Sequence, residues 1–207
     1  MKALGIVCTP RVGGNSEVLV QQVLAGVKEA GGESEIILIR DKNIHPCDGC
    51  LSCAITEKCH IKDDMQDIYE KMAASDGIII GAPTYYTMGG LGVNFLDRTL
   101  PVTAAGKLVN KLGVGIAVGY GIAIDGVLGV LRRFFTYNHM LCMEGIAGSA
   151  FKPGEIKQKE RTMKFAWEVG QMMVACHKEG GKFPKEYAFP VAKIMSQKYG
   201  LPSVYTH

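Results

Sequence analysis

Short apolar runs, separated by segments with helical spacing, leave this chain few architectures. The runs are ALGIVC at 3–8, EIILIR at 35–40, GIIIGAP at 77–83, LGVGIAVG at 112–119 and MLCMEGIAG at 140–148. Each is too short for a buried helix, and most are bounded by Gly, Pro or Thr, so each reads as a strand. None has a consistently polar face, which fits strands covered on both sides. Between them the period changes. From Ser16, apolar residues recur at Leu19, Val20, Val23, Leu24 and Val27, and Gly31-Gly32 end the helix. Asp63 and Asp64 precede a helix over 65–74 with Met65, Ile68, Tyr69 and Met72 on one face. Further helices are expected near 91–99, over 124–139, and from about 155 to 178, the last with Phe165, Val169, Met172, Met173 and Cys176 in a stripe. Strands alternating with helices imply βαβ units and an α/β fold: a five-stranded parallel sheet of order 2-1-3-4-5, with helices on both faces.

Length and composition set outer bounds. The 207 residues suit one domain, 1–207, and 47% hydrophobic with 21% charged residues suits a packed core. A net charge of +3, with no basic stripe, gives no footprint for nucleic acid. The apolar run Ala3 to Cys8 is too short for a leader core, and no stretch is long enough to span a membrane. A cytoplasmic setting is expected, in which thiols stay reduced. From about 180 to 207 runs an apolar extension with Pro184, Pro190 and Pro202, expected to pack on the body or on a partner subunit. Cys8, Cys142 and Cys176 read as small buried hydrophobes.

Ligands of open α/β sheets bind beyond the carboxyl ends of the strands. That selects the loops 9–16, 83–90 and 119–126. The first, TPRVGGNS, lacks both the P-loop and the G-x-G-x-x-G pattern. It does gather Thr9, Arg11, Asn15, Ser16 and the N–H groups of Gly13-Gly14 just before a helix N-terminus. Converging donors at such a place suit a phosphate. An ordinary turn capped by Asn15 or Ser16 is the plainer alternative.

The segment CDGCLSCAITEKC places Cys47, Cys50, Cys53 and Cys59 within a loop at 43–62. In a reducing compartment, closely spaced Cys pairs bind metal or do redox chemistry more often than they cross-link. Two separated knuckles are the usual zinc pattern. Successive x2 gaps come closer to the bacterial C-x2-C-x2-C-x3-C run of iron–sulfur proteins, although the last gap is longer and no Cys-Pro follows. A [4Fe–4S] cluster is the favoured occupant, with zinc or unligated thiols as alternatives. No role is assigned to the flanking His45 and His60.

CTPRVGGNS resembles the phosphate loop of the flavodoxin-like NAD(P)H-dependent FMN reductases, written G-S-P-R-x-G-G-N-[ST]. GAPTYYTMGG resembles that family's second flavin loop, and FLDR at 95–98 recurs there. With its compact cysteine motif, the chain is most similar to the iron–sulfur flavoprotein branch, over roughly residues 1–150. The resemblance implies a flavodoxin-like fold and FMN, with the phosphate at Thr9, Arg11, Gly14, Asn15 and Ser16. The ring would lie along Pro83, Thr84, Tyr85, Tyr86 and Met88, approached by the backbone of Gly119 and Gly121. The sequence GYGIAIDG departs from the family's Gly-Gly-Gln-Glu type of third loop. The implied activity is electron transfer between a one-electron carrier, such as a ferredoxin, and an acceptor, in a homo-oligomer (dimer or tetramer). No catalytic side chain is implied beyond the cofactors. The alternative is an NAD(P)H-dependent FMN or quinone reductase whose cysteines bind zinc or stabilise the loop.

Overall fold

The structure, a computed structural model, describes residues 1–184 other than Ile122. The strands are β1 (Lys2–Val7), β2 (Glu33–Leu38), β3 (Gly77–Pro83), β4 (Leu112–Gly119), β5 (Leu141–Cys142) and β6 (Ile146–Ser149). The helices are α1 (Asn15–Glu29), α2 (Cys53–Thr56), α3 (Met65–Ala74), α4 (Gly90–Asp97), α5 (Leu100–Ala104), α6 (Ile124–Tyr137) and α7 (Glu160–Glu179). Every strand pairing is parallel, in the order β2-β1-β3-β4-β5, with β6 also on β4. The order is the expected flavodoxin-like one.

The fifth position differs from the expected single strand over 140–148. Two short strands share it, both paired with β4 and separated by residues 143–145. An edge strand makes ladder bonds on one side only, so an interruption there breaks fewer bonds than in a central strand. Two helix boundaries also shift. The expected helix at 91–99 divides into α4 and α5, and the last helix starts at Glu160 after a 3-10 turn at Glu155–Gln158.

Each strand sends alternate side chains to opposite faces. Ala3, Val7, Val114, Ile116 and Val118 meet α1 and α7; Leu4, Ile6, Ile78 and Ile80 meet α3, α4 and α6. The glycines of LGVGIAVG follow from this division. Gly113 faces α6, and a Cβ there would stand 2.6 Å from the Phe135 ring. The apolar partners of β4 on that face are thus supplied by the helix rather than by the strand.

Cys8 keeps its expected place in the core, whereas the expectations for Cys142, Cys176 and Met172 change. Cys8 is buried, and burial pushes its thiol up to about 12. Cys142 is exposed and so is not a core residue, and Cys176 is half-buried, packed against the core rather than enclosed in it. Met172 also faces outward, whereas Val169 and Met173 are buried. Of the C-terminal extension, residues 185–207 lie outside the described residues. Phe183 stacks on His139 with ring centroids 5.2 Å apart. Among the described residues no helix is long and apolar enough to cross a membrane.

Gly113→Ala is expected to cost about 1–3 kcal/mol through overpacking. Phe135→Leu in the same chain should recover part of that loss, because the two sites touch. Urea denaturation of the single and double variants measures both effects.

Candidate functional site

The carboxyl ends of β1, β3 and β4 open onto a cavity of about 190 Å³. Its lining includes Thr9, Arg11, Gly14, Asn15 and Ser16 from the first loop, Pro83, Thr84 and Tyr85 from the second, and Gly119 and Tyr120 from the third. Thr9 and Ser16 are buried, and no side chain caps the N-terminus of α1. Among the described residues, none accepts a hydrogen bond from the Ser16 hydroxyl. Free N–H groups of a first helical turn and an unengaged hydroxyl therefore meet at one wall. Gly13 adopts φ 64°, and a Cβ on Gly14 would press to 3.1 Å from Arg11 O and Thr9 Oγ1. This cradle fits a phosphate: it offers donors, a helix N-terminus and backbone that an anion can approach closely.

Two of the expected phosphate ligands are also engaged elsewhere. Asn15 Nδ2 donates to Lys152 O at 2.9 Å, and Asn15 Oδ1 accepts from Ile156 N at 3.2 Å. Arg11 Nη1 donates to Phe151 O at 3.4 Å. Both residues thus hold the loop after β6 against the first loop. That loop is further shaped by Glu155 Oε2, which accepts from Phe151 N and Lys152 N at 3.0 and 2.9 Å. These two N–H groups hold the Glu155 carboxyl below its ordinary range. Ala150, Phe151 and Pro153 line the cavity, and Phe151 meets Tyr120 edge-on at 5.7 Å. Sequence reasoning missed this fourth loop. The expected fifth strand ends at 148, one residue short of the end of β6, so the rule of carboxyl-end loops already points here and was applied only after the first, third and fourth strands.

The second loop is only partly at the cavity. Thr84 bridges to Met88 across a tight reversal in which Tyr85 N donates to Thr87 O at 2.8 Å. Tyr85 lines the cavity, whereas Tyr86 projects fully into solvent. Met88 is buried against Gly92 rather than facing the cavity, and Gly121 is not among the lining residues. Beneath the first loop lies an ion pair that sequence reasoning also missed. Glu17 Oε2 accepts from Gly13 N at 3.0 Å and from Arg40 Nη1 at 2.7 Å.

The cysteine loop leaves the end of β2 and runs beside α4. Asn94 Nδ2 on α4 donates to Ile44 O at 3.1 Å. Arg98, just beyond α4, is 1% exposed and meets the loop at both ends. It donates to Asp63 Oδ2 and Oδ1 at 2.7 and 3.1 Å, to His45 O, and to Cys59 Sγ at 3.6 Å. Burial alone would raise the Asp63 carboxyl. The Arg98 guanidinium and the N–H groups of His45 and Met65 outweigh it and hold that carboxyl below its usual range. Tyr69 completes the cluster, donating its hydroxyl to Arg98 O at 2.6 Å.

Left-handed residues at Gly49, Leu51 and Glu57 fold the loop back on itself around the single turn of α2. Cys53 is buried inside it; Cys47 and Cys50 are exposed and Cys59 is half-buried. Burial pushes the Cys53 thiol up, and Cys59, Cys50 and Cys47 push it the same way. Thiolates at those three positions would therefore disfavour a thiolate at Cys53, an effect that a bound cation would reverse. This donor set fits a thiolate-ligated metal centre. Asp48, Cys50 and His60 also place ligand atoms within 4.8 Å of one another, all on exposed side chains.

Comparison with known proteins bears on the family and the fold. Residues 1–152 match the model of the NADPH-dependent FMN reductase family. An iron-sulfur flavoprotein of Methanocaldococcus jannaschii, MJ1083, is 33% identical over 184 residues, covering 83% of this chain and 94% of that one. An iron-sulfur flavoprotein of Archaeoglobus fulgidus is 30% identical over 172 residues, covering 82% and 77%. A solved flavodoxin from the domain Archaea superposes with a TM-score of 0.60 at 16% identity, covering 86% of this chain and 99% of that one, which concerns the fold alone. The chain belongs to the NADPH-dependent FMN reductase family, and within it to the iron–sulfur flavoprotein branch.

Proposed function

We propose that this protein is an electron-transfer flavoprotein holding FMN in the carboxyl-edge cavity and a [4Fe–4S] cluster on Cys47, Cys50, Cys53 and Cys59. It would exchange electrons between a one-electron carrier of the ferredoxin type and an acceptor. The observation that carries the reading is the joint presence of the two sites on one sheet: a phosphate cradle with unspent donors, and a loop of four thiols whose ends are tied by a buried arginine. When bound, FMN takes up one or two electrons and an iron–sulfur centre one, so a protein with both can convert between the two modes.

The residues divide the work. Thr9, Ser16 and the N–H groups of the first turn of α1 would take the phosphate. Arg11 would add charge, while Asn15 and Gly14 shape the cradle. Pro83, Thr84 and Tyr85 on one side and Gly119, Tyr120 and Phe151 on the other would flank the flavin ring, offering aromatic edges and backbone surface. Spacing favours a cluster over zinc. Tetrahedral zinc holds its sulfurs about 3.8 Å apart, from bonds of about 2.3 Å. Among the described residues, no three of the four thiols gather within 4.8 Å. A cubane, with one thiolate on each iron, tolerates the wider set.

The two sites stand at opposite ends of α4. Gly90 follows the flavin-side loop and Arg98 follows the other end, so one short helix, roughly 12 Å at 1.5 Å per residue, separates them. Val12, Tyr86, Tyr120 and Phe151 are exposed around the cavity, and Leu51 and Ile55 on the cysteine loop. Such apolar exposure supports a homo-oligomer in which a second copy covers these surfaces.

Protein purified without oxygen is expected to hold about four iron and four acid-labile sulfides per chain, the stoichiometry of the cubane, together with FMN. Zinc without sulfide would instead favour the reductase reading, as would NAD(P)H oxidation that survives Cys50→Ser. Ser16→Ala should weaken FMN binding by roughly tenfold or more, the cost of a hydrogen bond to a charged group, measured by fluorescence titration of apoprotein.

A further inference from the structure

Arg98 is almost completely buried, yet neither the flavin cavity nor the set of sulfur ligands needs it. Its guanidinium meets three points of the cysteine loop that are far apart in sequence: the His45 carbonyl before the first cysteine, Cys59 Sγ at the last, and the Asp63 carboxylate after it. It therefore spans the mouth of the loop. Asp63 returns the contact, accepting from His45 N at 2.9 Å and Met65 N at 3.0 Å. Its own N–H goes to Gln66 Oε1 at 2.9 Å, which roots the same residue in the first turn of α3. One donor, Arg98 Nε, is buried without a partner among the described residues. A buried guanidinium with an orphaned N–H is costly. Packing and helix formation do not require that cost, because an apolar residue of similar volume would fill the place.

We propose that Arg98 is the positioning residue of the cysteine site, clamping the loop shut and setting the redox balance of the group on the four thiols by aiming a fixed N–H and positive charge at Cys59 Sγ. This rests on the cluster reading above. Reducing a thiolate-ligated cluster adds negative charge to a site whose Cys59 end meets a buried guanidinium. A donor fixed on a ligand sulfur favours the more negative state, and hydrogen bonds to sulfur are among the factors that set such potentials. The same donor also determines where the last ligand sits. Lysine would keep the charge but could not reach carbonyl, carboxylate and sulfur together.

The test uses Asp63→Asn/Arg98→Met, which removes the pair without stranding a buried charge, alongside Arg98→Lys. In anaerobic redox titrations followed by electron paramagnetic resonance, the electron affinity of the cluster should fall about tenfold in the double variant, 59 mV for one electron. Arg98→Lys should lie between the double variant and wild type, and the FMN couple in the same samples should not move. Loss of iron from the double variant with FMN retained also supports the clamp. An unchanged cluster potential, or a common shift of both couples, overturns the proposal. Wild-type protein that contains no sulfide would overturn the cluster reading instead. Arg98 is then judged on iron-free protein by limited proteolysis within residues 45–63. Faster cleavage in the double variant supports the clamp, and equal cleavage overturns it.

Discussion

The buried pair of Arg98 and Asp63 decides where the cysteines are. A loop that is mostly solvent-exposed has little apolar area with which to hold itself. This one is held at its ends, through a guanidinium fixed just after α4 and a carboxylate at the start of α3. Breaking a buried pair from one side strands a charge and costs about 3–5 kcal/mol. The loop therefore has a rigid base although Cys47 and Cys50 lie in water. An ion pair of this kind is a poor source of net stability and a good source of fixed geometry.

The flavin-side cavity is built differently. It uses what every parallel sheet supplies at its carboxyl edge, loops and a helix N-terminus, and refines them with small residues. Gly14 lets the chain turn close under the cradle, and the Glu17–Arg40 pair stiffens the loop from below. Asn15 and Arg11 tie in the segment after β6, so that Phe151 closes a wall the first three loops leave open. Helix α4 joins this cavity to the cysteine site, and one short rigid element sets the distance between them.

Much of this was legible in the residues. GIIIGAP and LGVGIAVG are strands over the expected positions, because an uninterrupted apolar run bounded by Pro or Gly has few other uses. The helix with Met65, Ile68 and Met72 inward follows from its spacing. The motif residues at 9–16 do converge on one cavity. What escaped was long-range or side-chain specific. Nothing local in MLCMEGIAG announces a break at an edge position. The Phe151 loop follows a strand end that was placed within one residue, and it escaped because its ties to Arg11 and Asn15 cross 140 and 137 residues of chain. Tyr86 and Met88 belong to a tight reversal that sends alternate side chains to water and to the core, which sequence motif alone does not resolve. Arg98 stood in a recognised tetrapeptide, but its partners are 35 to 53 residues away in the chain. Only the fold brings them together.

The central claim is that one chain carries two redox groups, one at each end of α4. Counting electrons tests it most directly. Anaerobic titration of the as-purified protein with a strong reductant, followed by absorbance, should consume about three electrons per chain, two for the flavin and one for the cluster. Uptake of two electrons with only flavin bleaching would contradict the account and leave the cysteines without a redox role.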